Sequence, residues 1–367
     1  MTIEHIILPG GGPIGLYVYG ALKRLNNLKF WQIENIKTIY CTSIGGLIGI
    51  ITVLNLDWDW MDDFLVKRPW NKTIDLNNIN YLEIISEKGL FDKNIAKNII
   101  EPLLKSKNID PEVTLKEFFE LTNIILYFYS TNINSNLLNE QEISYINFPD
   151  MKLYEALYAT MNVPFIFKPF YINDKCLIDG GLVNNNPIIS CIKNEKCDNN
   201  NILFFTNSSK SKENKLYKES NIFDLLLLLL SKMATTIMCR NTELENTINV
   251  FNTISCDTNN GSLNIEFWLK VLNSQEEREI MVNKGIMKAN EFITEKYNGL
   301  ENNKDLINNK DLINNKDLIN NKDLINNKDL INNKDLINNK DLINNSYDNS
   351  LNKYNEVIDI SNLVVNN

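Results

Sequence analysis

Two short segments of this chain carry residue types that can do covalent chemistry, and the usual third partner is missing. Cys41-Thr42-Ser43-Ile44-Gly45 sets a serine on an expected strand-to-helix turn, and Asp179-Gly180-Gly181 sets an aspartate on a second turn far downstream. The single histidine, His5, opens the first apolar run, His5-Ile6-Ile7-Leu8. Catalytic loops of open α/β sheets lie at the carboxyl ends of strands, so His5 stands at the wrong end. If Ser43 is a nucleophile, Asp179 must take its proton without imidazole. An ordinary aspartate, with a pKa of about 4, is a weak base at neutral pH. Burial in a water-poor acyl pocket raises that pKa and strengthens the base.

Each motif has a plainer reading when taken alone. Ser43 could cap a buried helix. Asp179-Gly180-Gly181 could be a hairpin turn. The segment from Cys41 to Gly45 has the small residues at both ends that a G-x-S-x-G turn needs to lift a hydroxyl clear of a sheet. Gly10-Gly11-Gly12 exposes consecutive amides beside a helix start, a site for a negative oxygen and hence a candidate oxyanion hole. Gly10, Gly12 and Gly15 also satisfy the dinucleotide-binding spacing. That rival wants an acid at the end of the second strand to hold a ribose. The chain has Ile39-Tyr40-Cys41 there, and no Lys-Ser/Thr follows Gly15 as a P-loop would require.

The elements that must position these groups read as an α/β alternation. Ile6 to Leu8 is a buried strand, Pro9 to Pro13 a turn, Leu16 to Leu28 a helix, Ile36 to Tyr40 a second strand and Gly46 to Leu54 a buried helix. Downstream, strands are expected at Ile124 to Tyr129, Lys175 to Ile178, Ile202 to Thr206 and Asn264 to Leu269. Helices are expected at Leu82 to Lys105, Leu115 to Leu121, Lys152 to Met161, Ile222 to Leu244 and Gln275 to Thr294. A βαβα opening implies a mostly parallel sheet. The stretch from Asp57 to Lys72, with Trp58, Trp60 and Trp70, is less regular and reads as aromatic packing in preference to a lid. Leu225 to Leu230 reads as a core helix, because six consecutive leucines cover every side of a helix. The competing reading is an interfacial helix flanked by Lys210, Lys212, Lys215 and Lys218.

Four ordered motifs together resemble the patatin-like phospholipases: Gly10-Gly11-Gly12-x-x-Gly15, Thr42 to Gly46, Ala159 to Pro164, and Asp179 to Pro187. The resemblance spans roughly residues 1 to 296. It implies a three-layer α/β/α sandwich and lipid acyl hydrolysis by a Ser43–Asp179 dyad, without metal or cofactor. It further implies an oxyanion hole from Gly10, Gly11 and Gly12, with Gly15, Cys41, Gly45, Gly180 and Gly181 as supporting motif positions. Two positions depart from the pattern. Cys41 stands where glycine is usual, and Ile14 stands where a basic residue is usual, which removes a positive charge near the glycine loop. A scaffold that kept lipid binding but lost turnover is the alternative reading.

Composition sets the outer limits. The chain has 367 residues, 44% of them apolar, enough for a large core. A net charge of −9 argues against nucleic-acid partners. Six dispersed cysteines show neither a secreted disulfide framework nor paired zinc-type motifs. No signal peptide and no membrane-spanning run is legible, so the expected setting is cytoplasmic, with a lipid substrate met by transient contact at a membrane surface. The acyl hydrolase domain is expected over 1–298 and low-complexity hexapeptide repeats over 299–345, ahead of a tail over 346–367. Lys-Asp-Leu-Ile-Asn-Asn recurs without variation and gathers no apolar stripe at either helical or strand pitch, so it is expected to be solvated and weakly structured.

Overall fold

The structure, a computed structural model, describes residues 2–76, 81–207, 215–245, 250–256 and 264–302. They fall almost entirely within the unit Met1–Gly299. The hexapeptide repeats and the tail lie outside the described residues, as do Lys210 and Lys212.

The chain opens with β1 (His5–Leu8), a 3-10 turn over Gly12–Ile14, α1 (Gly15–Asn27), β2 (Thr38–Thr42) and α2 (Ile44–Leu54). An irregular aromatic stretch follows, with α3 (Trp58–Asp62) running into a π turn (Asp63–Lys67), and then α4 (Tyr81–Glu87), α5 (Asn94–Ser106) and α6 (Leu115–Thr122). Next come β3 (Ile125–Asn132), β4 (Asn139–Ile143), α7 (Leu153–Met161), β5 (Phe170–Ile172) and β6 (Lys175–Asp179). The order closes with α8 (Ile188–Glu195), β7 (Ile202–Thr206), α9 (Ile222–Glu245), β8 (Thr253–Ser255), α10 (Ile265–Asn273) and α11 (Gln275–Asn302).

The described strands form one sheet linked by pairing along the path β5-β6-β3-β2-β1-β7-β8, with β4 also pairing β3. Pairs among β3, β2, β1, β7 and β8 are parallel, and β4, β5 and β6 make antiparallel pairs. Every residue of β1 and β2 is buried, which is why they read as unbroken apolar runs and not as alternating strands. Alternate side chains serve two cores. Ile6, Leu8, Ile39, Cys41 and Phe128 join the large cluster with residues of α2, α5 and α7. Ile7, Tyr40, Tyr127 and Tyr129 pack with Ile188 and Cys191 of α8. Helices therefore cover both faces of a mostly parallel sheet, the layered architecture expected from the sequence.

Two expectations change. Asn264 to Leu269 is not a strand: the Asn264 side chain accepts from Phe267 N and caps α10, whose Phe267, Trp268 and Val271 turn inward. The leucine run of α9 is not wholly core. Leu227 is buried, but Leu225 and Leu229 are exposed. The tryptophans do pack: Trp70 is buried, Trp58 meets Trp31 edge-on, and the partly exposed Trp60 stacks on Phe64.

Arg278, 4% exposed, ties the C-terminal helices to this framework. Its guanidinium donates to the carbonyls of Val66 (2.7 Å), Arg68 (3.1 Å), Val271 (2.7 Å) and Leu272 (3.1 Å). One side chain thus serves the end of the π turn and the last turn of α10. Arg278→Leu is expected to cost about 3 kcal/mol or more, because buried carbonyls lose their donors while the apolar replacement supplies none. Urea unfolding should show a lower midpoint with an unchanged slope.

Candidate active site

Strand register brings together two residues separated by 136 positions. Phe128 to Asn132 pair with β4 along one edge of β3, so β2, which pairs Ile125 to Tyr129, and β6, which pairs Ser130 to Asn132, must share the other edge. On that edge the two strands run toward each other. Thr42 lies opposite Tyr129 and Asp179 opposite Ser130, so the ends of β2 and β6 meet. Ser43 is the next residue after β2. On the other side of β2, Leu8 pairs with Cys41, which carries the chain beyond β1 to Gly10 beside Ser43.

Ser43 Oγ donates to Asp179 Oδ2 at 2.6 Å, and both residues are buried. The serine sits at φ 54°, ψ −124°, a backbone conformation unusual for a side-chain-bearing residue and characteristic of a strained strand-to-helix turn. Its hydroxyl makes no capping bond to α2, so the helix-cap reading of Ser43 does not describe its side chain. The Ser43 amide donates instead to Thr160 Oγ1 at 2.9 Å, and the Thr160 hydroxyl donates to the Tyr129 carbonyl. Asp179 is held from its other side by Gly181 N, which donates to Oδ1 at 2.7 Å. Burial pushes its carboxyl up to about 6, against the opposing hydrogen bonds from Ser43 and Gly181.

The glycine loop is pinned by residues far along the chain. Ile7 pairs with Phe204, which puts Asn207 beside Gly10. The Asn207 side chain donates to the Gly10 carbonyl and accepts from Asn185 Nδ2 at 3.3 Å. The Gly10 amide donates to the Asn185 carbonyl at 3.4 Å. Among the described residues, no group accepts from the amides of Gly11 and Gly12. Gly12 has φ +55°, and a Cβ there would lie 2.6 Å from the Trp268 ring. Gly12→Ala is therefore expected to push the loop off Trp268; on the reading of this loop as an oxyanion hole, kcat should fall about 100-fold with a small change in KM. Ester-turnover kinetics beside a thermal-unfolding curve would check it.

The remaining motif residues fall into supporting places. Gly45 lies against the Leu8 carbonyl, Gly180 against the Tyr129 carbonyl, and Gly15 against the Ile44 side chain. Cys41 is buried within β2, is not among the residues with positive φ, and its thiol donates to the Tyr127 carbonyl at 3.2 Å. Ile14 is 1% exposed and packs on Gly11, so the usual basic position of the loop is here part of the core. His5 is buried at the far end of β1, its Nδ1 2.7 Å from Thr38 Oγ1. Burial lowers its pKa. Thr160, Asn207 and Trp268 were not singled out by the sequence, although Thr160 lies inside the Ala159 to Pro164 motif. Asn207 directly follows an expected strand. Trp268 was hidden by the strand reading of its segment.

Known proteins resemble this chain in sequence and in fold. A protein of Invertebrate iridescent virus 6, named as a probable lipid hydrolase, is 33% identical over 229 residues, covering 60% of this chain and 76% of that protein. An uncharacterized protein of Acanthamoeba polyphaga mimivirus is 25% identical over 186 residues, 51% of this chain and 60% of that one. Among solved structures, VipD from Legionella pneumophila shares the fold, with a TM-score of 0.52 at 14% identity over 80% of this chain and 67% of its own. Residues 6–192, which hold β1, the glycine loop, Ser43 and Asp179, match the family model for patatin-like phospholipases, and the chain belongs to that family.

Proposed function

We propose that the protein hydrolyses acyl esters of glycerophospholipids or related lipids through a Ser43–Asp179 dyad. Ser43 Oγ attacks the ester carbonyl carbon and passes its proton to the Asp179 carboxylate. The amides of Gly11 and Gly12 hold the resulting oxyanion, and the Gly10 amide, occupied by Asn185, completes the loop. Collapse of the tetrahedral intermediate breaks the acyl C–O bond, and Asp179 returns its proton to the departing alcohol. Water then attacks the acyl-serine while Asp179 takes the water's proton. The fatty acid leaves as Ser43 recovers a proton from Asp179.

The observation that carries this reading is the 2.6 Å hydrogen bond from Ser43 to a carboxyl whose pKa is about 6. A base near 6 is still ionised at neutral pH and is stronger than an ordinary aspartate. Fatty-acid release from phosphatidylcholine mixed micelles should therefore rise about tenfold per pH unit below about 6 and level off above it. Excess chelator should leave the profile unchanged. Release that declines as pH rises through 6 would require the protonated carboxyl and would contradict the assignment of Asp179 as base.

A further inference from the structure

Helix α9 leaves an apolar ridge uncovered beside the candidate site. Ile222, Leu225, Leu229 and Met233 are 63%, 39%, 54% and 46% exposed, while Leu227 is buried and Leu230 packs on the core. At about 100° per residue the four exposed side chains fall within an arc of about 80°, along about 16 Å of helix. They form one stripe and are not scattered surface leucines. Helix α9 lies against the Gly180–Leu182 turn, which directly follows Asp179. Exposed Leu216 and Tyr217 extend the apolar surface ahead of it.

Charge identifies the occupant. Among the described residues from 215 to 233, Lys215, Lys218 and Lys232 stand against Glu219 and Asp224, a positive excess in a chain of net charge −9. Lys218 and Lys232 are exposed. Bulky aliphatic side chains on one helix face with lysines at its margins suit an anionic lipid interface. A protein partner would more often be met by Trp, Tyr or Arg anchors; Ile222, Leu225, Leu229 and Met233 include none, and Tyr217 stands ahead of the helix at the edge of this surface.

We infer that the Ile222–Met233 face of α9 docks on a phospholipid bilayer carrying anionic headgroups, setting the candidate site against the surface that holds its substrate. This rests on the reading of the site as one for lipid esters. Docking and hydrolysis can nevertheless fail separately. The test is flotation of the full chain, carrying Ser43→Ala to stop turnover, with phosphatidylcholine vesicles containing or lacking phosphatidylserine. The parent should float with the mixed vesicles, and adding Leu225→Glu with Leu229→Glu should weaken partitioning about tenfold or more. Lys218→Glu with Lys232→Glu, at exposed polar positions, should weaken it on the mixed vesicles alone and serves if the leucine variant unfolds. Thermal unfolding checks both variants.

Failure of the parent to float, or equal flotation of the folded variants, overturns the inference. So does a parent that stays off vesicles as a dimer and becomes a monomer on leucine substitution, which would make a second copy the occupant. Flotation that behaves as expected, beside a wild-type chain that releases no fatty acid, would sink the hydrolase reading and leave the docking face standing. Hydrolysis without flotation would do the reverse.

Discussion

Asp179→Asn is expected to abolish turnover and to stabilise the fold at pH 8. Asparagine cannot take the Ser43 proton, so kcat should fall about 1,000-fold or more, as when a catalytic base is removed while the rest of its site remains. The stability change follows from the burial that makes Asp179 a useful base. The carboxyl titrates near 6 in the folded chain and near 4 when unfolded. Below about pH 4 both states hold the proton, and the shift contributes nothing. Between the two values the folded chain keeps a proton that the unfolded chain has released, so stability falls as pH rises. Above about 6 the whole penalty, about 3 kcal/mol, is present. Asparagine retains an oxygen that can accept from Ser43 or from the Gly181 amide. Urea unfolding should therefore show the variant ahead of wild type at pH 8 and level with it near pH 4. A variant less stable than wild type at pH 8 would mean that the charged carboxylate is stabilised in the fold.

Ser43→Ala should cost at least as much turnover, about 10,000-fold, but should move stability the other way. Loss of the hydroxyl removes the donor to Asp179 Oδ2, a bond that lowers the carboxyl pKa. The buried carboxylate is then less well satisfied at pH 8, a loss of about 1 to 2 kcal/mol. Alanine also inherits the φ 54° backbone of the turn without the hydrogen bond that uses it. The two dyad substitutions should thus share one kinetic phenotype and separate in unfolding midpoint. A common destabilisation would point to a merely structural contact between the side chains. Steady-state kinetics and urea titrations on both variants make the comparison.

What could be read from the sequence follows from where each signal resides. Strands β1, β2 and β7 and the turns around Ser43 and Asp179 are written in local runs and in small residues whose spacing reports backbone geometry. The meeting of β2 and β6 along one edge of β3 is not local, because it depends on pairing registers between segments far apart. The sequence could say that Asp179 must serve Ser43 but not how the two are brought together. Strands β5 and β8 have three residues each, too few for a period to show, and exposed polar residues such as Glu140 leave no apolar run in β4. Asn264 to Leu269 has apolar residues that fit either period, and the Asn264 cap decides for helix. The leucines of α9 also mislead, since an all-apolar run implies burial on every side while the fold supplies cover for only one. Asn207 and Trp268 carry no motif, and their roles appear only when β7 and α10 reach the glycine loop.

The most direct measurement of the central claim is peptide mapping by mass spectrometry after treating the wild-type chain with a fluorophosphonate. The activated serine should displace fluoride, and one phosphonyl adduct should map to Ser43, with labelling that rises with pH through about 6 as Asp179 ionises. An adduct on another serine, or lipid hydrolysis by a chain whose Ser43 takes no label, would contradict it.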